Sequence, residues 1–269
     1  NGNDDIYKMK ISNRRVSQIT SDTNHDESLP KLSPDGTRIA YVTNGKDSGT
    51  LAIWVVDTNG ENPQQIQNGM APCWSPDGKY FTFVSNTGFL CTMNADGTNT
   101  QEILNHITSP AFPSWSNKVL ATNAVNGRIA FSYQPETNGN YAIYTINPDG
   151  TDPRQLTENN YNDVAPTWSP DGTKIAFHSW RNGNPNQIYV MNADGTGEQQ
   201  LTEGIYSNSS PSWSHDGSRI AYSHGGFGDI YIIDADGNNQ QSLTNTPNAN
   251  ECYLSWSPDD SEILFSSDI

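Results

Sequence analysis

A turn sequence, Ser-Pro-Asp-Gly, recurs with small changes every 41 to 53 residues along this chain. In such a turn proline presets φ, aspartate accepts hydrogen bonds from nearby backbone, and glycine supplies the positive φ that follows. Recurrence at this period indicates one supersecondary unit stacked several times, so the chain is limited to a repeat architecture. The copies begin at Ser33, Ser75, Ser116, Ser169, Ser214 and Ser257, and the third has lost its Pro-Asp-Gly.

Each repeat is predicted to form four short strands. A first strand leads into the turn, and an apolar, β-rich run such as Ile175-Ala176-Phe177 follows it. After a variable loop come a third run, Ile188-Tyr189-Val190, a second tight turn at Asn192–Gly195 and a short last strand. Tight turns between successive strands indicate antiparallel hairpins. The predicted fold class is therefore all-β, a six-bladed β-propeller of four-stranded antiparallel blades.

The two ends of the chain are predicted to share one blade. The chain ends after a second strand, Ile263–Ser266, whereas its first residues supply the missing third and fourth strands, Ile6–Met9 and Val16–Thr20. Pairing them closes the ring and covers two exposed sheet edges. A single domain is predicted over residues 1–269, with blades at about 28–66, 70–103, 110–156, 164–201, 209–243, and 252–267 paired with 6–20.

The charge balance restricts the classes of partner. A net charge of −16 disfavours nucleic acid and anionic membrane surfaces, and it favours cations or basic protein surfaces. No stretch resembles a transmembrane span, and the chain is expected to be a monomer. Cys73 and Cys91 fall on first and third strands of one blade, so no disulfide is expected between them, and Cys252 completes no metal-binding spacing.

One repeat carries a family resemblance. The segment 175–184, Ile-Ala-Phe-His-Ser-Trp-Arg-Asn-Gly-Asn, followed by Gln187–Gly197, resembles the TolB-type propeller repeat, also called PD40. The resemblance covers essentially the whole chain but not the additional α/β domain of TolB. It implies a non-enzymatic binding module in the periplasm or at the cell surface, with a protein or peptide partner. Related propellers include modules of peptidases and polysaccharide lyases with a His-lined metal centre.

Binding is expected on the face that carries the variable loops. Strand directions place both tight turns of every blade on one face, which repeats nearly unchanged. The other face collects the loops between second and third strands and the connections between blades, and variable loops on a rigid frame commonly carry function. The residues predicted there to bind a protein, a peptide or a carbohydrate are Trp180, Arg181, Tyr161, Tyr206, Phe227, Tyr253 and His25.

An acidic ring is predicted at the mouth of the central channel. When the blades are aligned, one position near the start of each first strand carries Glu27, Gly69, Pro110, Asp163, Asn208 and Glu251. Carboxylate and amide oxygens suit a hard cation, so Glu27, Asp163, Asn208 and Glu251 are candidate Ca²⁺ ligands. A solvated acidic funnel without an ion is the alternative. Calcium in the channels of TolB-like propellers is also what the family resemblance implies.

No catalytic residue set is predicted. The chain has no Gly-x-Ser-x-Gly elbow, and its histidines lack ligand spacing. His25, His106, His178 and His224 fall on or near the loop face, which keeps open a lyase-like metal centre and hence a carbohydrate-active propeller. A structural module of a larger surface protein or peptidase is a further alternative.

Overall fold

The computed structural model describes residues 3–45, 50–104, 112–116, 127–135, 139–158, 160–181, 185–226, 228–246 and 249–269. The first twelve strands are β1 (Asp5–Lys10), β2 (Arg15–Gln18), β3 (His25–Leu32), β4 (Arg38–Gly45), β5 (Leu51–Asp57), β6 (Gln64–Asn68), β7 (Met70–Trp74), β8 (Tyr80–Val84), β9 (Leu90–Asn94), β10 (Gln101–Leu104), β11 (Ser114–Trp115) and β12 (Ile129–Tyr133). The others are β13 (Ala142–Ile146), β14 (Arg154–Gln155), β15 (Asn162–Trp168), β16 (Lys174–Trp180), β17 (Gln187–Asn192), β18 (Gln199–Gln200), β19 (Asn208–Trp213), β20 (Arg219–His224), β21 (Asp229–Asp234), β22 (Gln241–Ser242), β23 (Cys252–Trp256) and β24 (Glu262–Ser267).

These strands form six antiparallel sheets of four, the blades of a propeller. Blades 1 to 5 take successive groups of four strands from β3 to β22, and blade 6 has the order β2-β1-β24-β23. The innermost strands contact one another in a closed sequence, β3, β7, β11, β15, β19, β23 and back to β3. The predicted fold class and the split blade are confirmed, because β1 pairs with β24 from Asp5↔Ser267 to Lys10↔Glu262.

In blades 1, 2, 4, 5 and 6 the recurring turn closes the first hairpin through a small side-chain network. In blade 1 the Ser33 hydroxyl donates to Asp35 Oδ1 at 2.6 Å and accepts from the N–H of Arg38 at 2.9 Å. Gly36 has φ +72°, and its N–H donates to the Ser33 carbonyl at 2.8 Å. Blade 6 places Asp260 at the glycine position with φ +56°, which aspartate tolerates better than most residues. Serine, aspartate and glycine thus each have a defined role in the turn.

The hydrophobic core is divided among the joints between neighbouring blades. Each buried cluster draws its residues from two adjacent blades, as where Trp168 of blade 4 packs with Ala130 and Ile143 of blade 3. Two of the recurrent tryptophans also form hydrogen bonds across these joints, because Trp74 Nε1 donates to the carbonyl of Lys31 in blade 1 at 3.1 Å and Trp256 Nε1 to that of Ser212 in blade 5 at 3.0 Å. Among the described residues, Trp168 Nε1 and Trp213 Nε1 have no such partner. The Arg38 guanidinium lies 4.9 Å from the Trp74 ring centroid, within cation–π range. Adjacent blades are therefore joined by apolar packing, and at the joints of Trp74 and Trp256 the same tryptophan adds polar contacts.

A bulge interrupts the innermost strand at one aligned position in blades 1, 2, 4, 5 and 6, and the equivalent residue of blade 3, Phe112, lies just before β11. The residues with positive φ there are Leu29, Ala71, Phe112, Ala165, Ser210 and Tyr253. In blade 4 the N–H of Ala165 donates to Ser132 Oγ of blade 3 at 3.0 Å. In blade 5 the N–H of Ser210 donates to His178 Nδ1 of blade 4 at 3.3 Å. These two bulges are stabilised by side chains of the preceding blade, so the feature belongs to the assembled ring.

Candidate functional site

The two faces of the propeller differ as the sequence predicts. On one face the two tight turns of a blade bind each other, as where the N–H of Ala193 donates to the carbonyl of Thr173 at 2.8 Å. The equivalent bond joins Ala235 to Ser218 in blade 5 at 2.9 Å. Both kinds of turn therefore form one repetitive surface. The opposite face, called the loop face below, carries the loops after the second strands and the connections between blades.

The loop face exposes an apolar patch where blades 4 and 5 meet. Trp180, at the end of β16, is 55% exposed, and Tyr206, in the connection to blade 5, is 57% exposed. Ile205 beside it is 83% exposed. Ile205 was not among the predicted binding residues, although an isoleucine beside Tyr206 in a connection between blades is a readable signal. Phe227, the other aromatic residue predicted here, lies outside the described residues.

Gln187 holds the two parts of this patch together. It pairs with Ser179 next to Trp180. Its side-chain amide donates to the carbonyl of Tyr206 at 3.0 Å. A second hydrogen bond joins the same two segments, because the backbone N–H of Asn208 donates to the carbonyl of Asn186 at 2.7 Å. The Trp180–Ile205–Tyr206 patch therefore stands on a hydrogen-bonded frame.

Arg181, predicted to bind a ligand, is engaged inside blade 4. Its guanidinium lies 4.2 Å from the ring centroid of Tyr189 and 5.1 Å from that of Tyr161. It forms ion pairs with Asp163, at 3.2 Å, and with Glu198. Burial lowers the pKa of Arg181, but these two carboxylates outweigh burial and raise it. Tyr161 and Arg181 thus form one internal cluster, and a ligand would have to compete with it.

The four predicted Ca²⁺ ligands are buried, but they do not converge. The carboxylate of Asp163 accepts a hydrogen bond from the guanidinium of Arg181. Asn208 donates to Gln187 Oε1 at 2.8 Å and lies 2.6 Å from His224 Nδ1. Glu251 accepts hydrogen bonds from the hydroxyls of Thr244 and, at 2.9 Å, Thr246. The bulged first strand turns these side chains into the blade and its joint with the preceding blade.

The part of the chain that the structure describes has no group of three or more His, Cys, Asp or Glu residues placed to hold a metal ion. Glu27, the fourth candidate, lies at the joint of blades 6 and 1 with Asp5 and Thr20 nearby. The predicted Ca²⁺ therefore has no shared ligand set among these residues, and it stays a prediction.

The central channel is narrow and mainly apolar. Its walls come from the innermost strands of all six blades, and it encloses a cavity of about 60 Å³. Tyr253, predicted on the loop face, instead lies in this channel, where its ring stacks on Phe112 with centroids 6.2 Å apart. Blades 3 and 6 face each other across the ring, so the two rings narrow the channel from opposite sides. A cavity of this size has room for a few water molecules.

The histidines in the described ranges are dispersed. His178 is buried, and desolvation lowers its pKa to about 4, so it is neutral at pH 7 and accepts the Ser210 N–H. His25, predicted to bind a ligand, has its Nδ1 2.6 Å from Asp22 Oδ2. His224 lies 4.3 Å from the Tyr231 ring centroid. His106 is outside the described residues. Cys73, Cys91 and Cys252 are all free thiols.

A groove of about 450 Å³ opens beside blade 1, at its joint with blade 6. His25, Glu27, Tyr41 and Trp54 line it. Glu27 is only 3% exposed, and within the described residues its Oε2 accepts no hydrogen bond. Burial, and then the nearby Asp5 and Asp22 carboxylates, raise the pKa of Glu27 to about 7, although a hydrogen bond with Thr20 opposes them. Sequence reasoning chose Glu27 and His25 but did not place them in one groove with Trp54.

Comparison with known proteins identifies similar propellers. Residues 126–228 match the family model described as the TolB beta propeller domain. A protein TolB homolog of Chlorobium chlorochromatii is 34% identical over 159 residues, which cover 56% of this chain and 33% of that protein. The Tol-Pal system protein TolB of Bordetella pertussis is 27% identical over 179 residues, which cover 64% of this chain and 39% of that protein. The chain thus spans about a third of the length of these relatives.

A solved structure of similar extent shows the same fold. The structure of a putative TolB from Agrobacterium tumefaciens superposes with a TM-score of 0.81 at 19% identity, covering 100% of this chain and 99% of that one. Within the described ranges of this chain, no helix is long and apolar enough to cross a membrane.

Proposed function

Because the chain is a TolB-like six-bladed β-propeller of PD40-type repeats, we propose that it is a non-enzymatic module that binds another protein through its loop face. The observation that carries the proposal is the Trp180–Ile205–Tyr206 patch. Exposed apolar side chains grouped on a rigid frame mark interaction sites more often than isolated ones do. Tryptophan and tyrosine are also the residues most often found as binding hot spots.

The proposed partner is a protein of a Tol-Pal-type system, and the proposed location is the periplasm. Two relatives support this: the TolB homolog of Chlorobium and a protein named for the Tol-Pal system in Bordetella. The net charge of −16 favours a partner with a basic contact surface. The loop face differs from blade to blade and can therefore recognise one partner, whereas the tight-turn face is repetitive.

The test is a titration of the purified protein with the purified Pal-type protein of the same organism, followed by calorimetry. The double substitution Trp180→Ala and Tyr206→Ala should weaken binding at least tenfold, because each hot-spot residue contributes more than about 1 kcal/mol. Val16→Ala is the matched control, since Val16 is also exposed but lies on the outermost strand of blade 6. Unchanged binding by the double variant would remove the patch from the interface.

A carbohydrate partner is the second candidate, and its support is the aromatic character of the same patch. Titration with uronic-acid oligosaccharides distinguishes it, because saturable binding lost in the double variant would favour a carbohydrate. A tagged full-length protein in the native host would report the location through cell fractionation. Recovery in the cytoplasmic fraction would contradict the proposed periplasmic placement.

A further inference from the structure

Blade 4 contains an internal example of guanidinium binding. The Arg181 guanidinium lies over the rings of Tyr189, Tyr161 and Phe177 and forms an ion pair with the buried carboxylate of Asp163. Aromatic faces attract a cation, and a buried carboxylate neutralises it, so this arrangement suits a planar cation. The cluster shows which surroundings a guanidinium occupies in this fold.

Blade 1 repeats these surroundings without the arginine. Its strand pairing aligns with that of blade 4, because Glu27 faces Thr43 as Asp163 faces Ser179. Tyr41 faces Trp54 as Phe177 faces Tyr189. Glu27 therefore takes the place of Asp163, Trp54 that of Tyr189, Tyr41 that of Phe177 and His25 that of Tyr161. The position of Arg181 is taken by Gly45, which has no side chain to fill the groove.

In blade 5 a histidine imidazole lies in the equivalent space. There the imidazole of His224 lies 4.3 Å from the ring of Tyr231 and 5.5 Å from that of Tyr206, with its Nδ1 2.6 Å from Asn208 Oδ1. Tyr231 and Asn208 correspond to Tyr189 and Asp163 of blade 4. Two blades thus place a nitrogen-bearing side chain between the aromatic rings and the polar group of the first strand.

The groove of blade 1 also leaves polar atoms without hydrogen bonds. Among the described residues, Trp54 Nε1 is buried and has no partner, and Glu27 Oε2 and the neighbouring Asp5 Oδ1 accept no hydrogen bond while both carboxyl groups are ionised. Leaving such atoms unpaired costs free energy, most of all for a charged group. Glu251, the equivalent of Glu27 in blade 6, has both carboxylate oxygens bound by threonine hydroxyls. The unsatisfied carboxylate is therefore a property of the blade 1 groove and not of every buried acid in the ring.

We propose that the blade 1 groove, lined by His25, Glu27, Tyr41 and Trp54, binds the guanidinium group of an arginine side chain supplied by a protein partner. The guanidinium would donate to Glu27 Oε2 and lie over the Trp54 ring, as Arg181 does over Tyr189. Arginine fits better than lysine, because its planar group can stack and donate at the same time. This site is separate from the Trp180–Ile205–Tyr206 patch and does not depend on the function proposed for that patch.

The alternative to a bound guanidinium is a proton shared between the carboxyl groups of Glu27 and Asp5. Glu27 and Asp5 lie within hydrogen-bonding reach of each other, and a bond between them requires one carboxyl group to be protonated. The titratable groups around Glu27 are Asp5, Asp22, His25 and Tyr41. A bound guanidinium needs ionised Glu27, so arginine affinity should rise at least threefold between pH 6 and pH 8. A groove that holds only a proton should show no arginine binding at either pH.

The experiment uses N-acetyl-arginine methylamide as the probe and the neutral, isosteric N-acetyl-citrulline methylamide as its control. The indole N–H signal of Trp54, assigned with a Trp54→Phe variant, reports binding by NMR at millimolar probe concentrations. The arginine probe should shift this signal saturably, and the citrulline probe should bind at least tenfold more weakly. Equal affinities for the two probes would overturn the proposal.

Three variants locate the site. Glu27→Gln should weaken arginine binding at least tenfold, whereas Glu251→Gln should leave it unchanged. Gly45→Arg should abolish probe binding, because an internal guanidinium then fills the groove as in blade 4. If Glu27→Gln does not fold, the Gly45→Arg variant and the pH series still test whether arginine binds in this groove. Unaltered binding of the probe to Gly45→Arg would contradict the proposed site.

Discussion

At the scale of single residues, Trp168 and Trp180 are the same amino acid in opposite surroundings. Trp168 is 8% exposed and packs among six buried side chains of blades 3 and 4. Trp168→Ala should therefore cost about 3–5 kcal/mol, the usual range for emptying an aromatic core site. Trp180→Ala should change the free energy of unfolding by under about 1 kcal/mol, because Trp180 is mostly exposed. Urea denaturation measures both, and equal losses would contradict the assignment of Trp168 to a joint between blades.

Glu27 makes the free energy of unfolding depend on pH. Its pKa is raised from 4.5 to about 7 in the folded chain, so between these values the folded state binds more protons than the unfolded state. The stability that protonated Glu27 contributes is present below pH 4.5 and is lost as the pH rises through 7. Glu27→Gln should thus be more stable relative to the parent at pH 8 than at pH 5, by about 2 kcal/mol. Denaturation midpoints at the two pH values check this, and a constant difference would contradict it.

At the scale of elements, the second tight turn of blades 1 to 4 needs glycine for two reasons. Gly195 has φ +87°, and an added Cβ would lie 2.7 Å from the carbonyl oxygen of Leu156 in the preceding blade. Gly225 has φ +84° but meets nothing within 4 Å. Gly195→Ala should thus destabilise the protein more than Gly225→Ala, by roughly 1–3 kcal/mol beyond the shared cost of a positive φ. Thermal unfolding of the pair measures the difference, and matching losses would show that the backbone yields.

The turns were predictable from the sequence because their chemistry is local. Ser33, Asp35 and Gly36 bond within a few residues of one another, so composition and spacing alone indicate the hairpin and, by repetition, the blade count. The bulges at Leu29 and Ala165 were not predictable, because these residues do not favour positive φ by themselves. Their conformation depends on closure of the ring, which also turns Asp163 into its blade. The predicted Ca²⁺ ligands therefore stay a prediction: alignment of the blades identifies equivalent positions, but the directions of their side chains are not readable from the sequence.

At the scale of the whole molecule, closure depends on strands from both ends of the chain. Removing residues 1–20 would delete β1 and β2 and leave β24 as an unpaired edge beside the Glu27 groove. Such an edge invites association between molecules, so the truncated protein should aggregate or lose cooperative unfolding. Adding a peptide of residues 1–20 should restore solubility, with a scrambled peptide as the control. A truncated protein that melts like the parent would show that blade 6 is dispensable.

The pairing of β1 with β24 also decides how the protein responds to mechanical force. Asp5 and Ser267 are partners at one end of an antiparallel pair, so both chain ends leave the ring at the same point. A load that separates these ends acts on the ladder one residue pair at a time, from Asp5↔Ser267 towards Lys10↔Glu262. Such unzipping needs less force than sliding two strands past each other, where all the bonds resist together. The pairing that closes the ring is thus expected to separate at low force when the two chain ends are pulled apart.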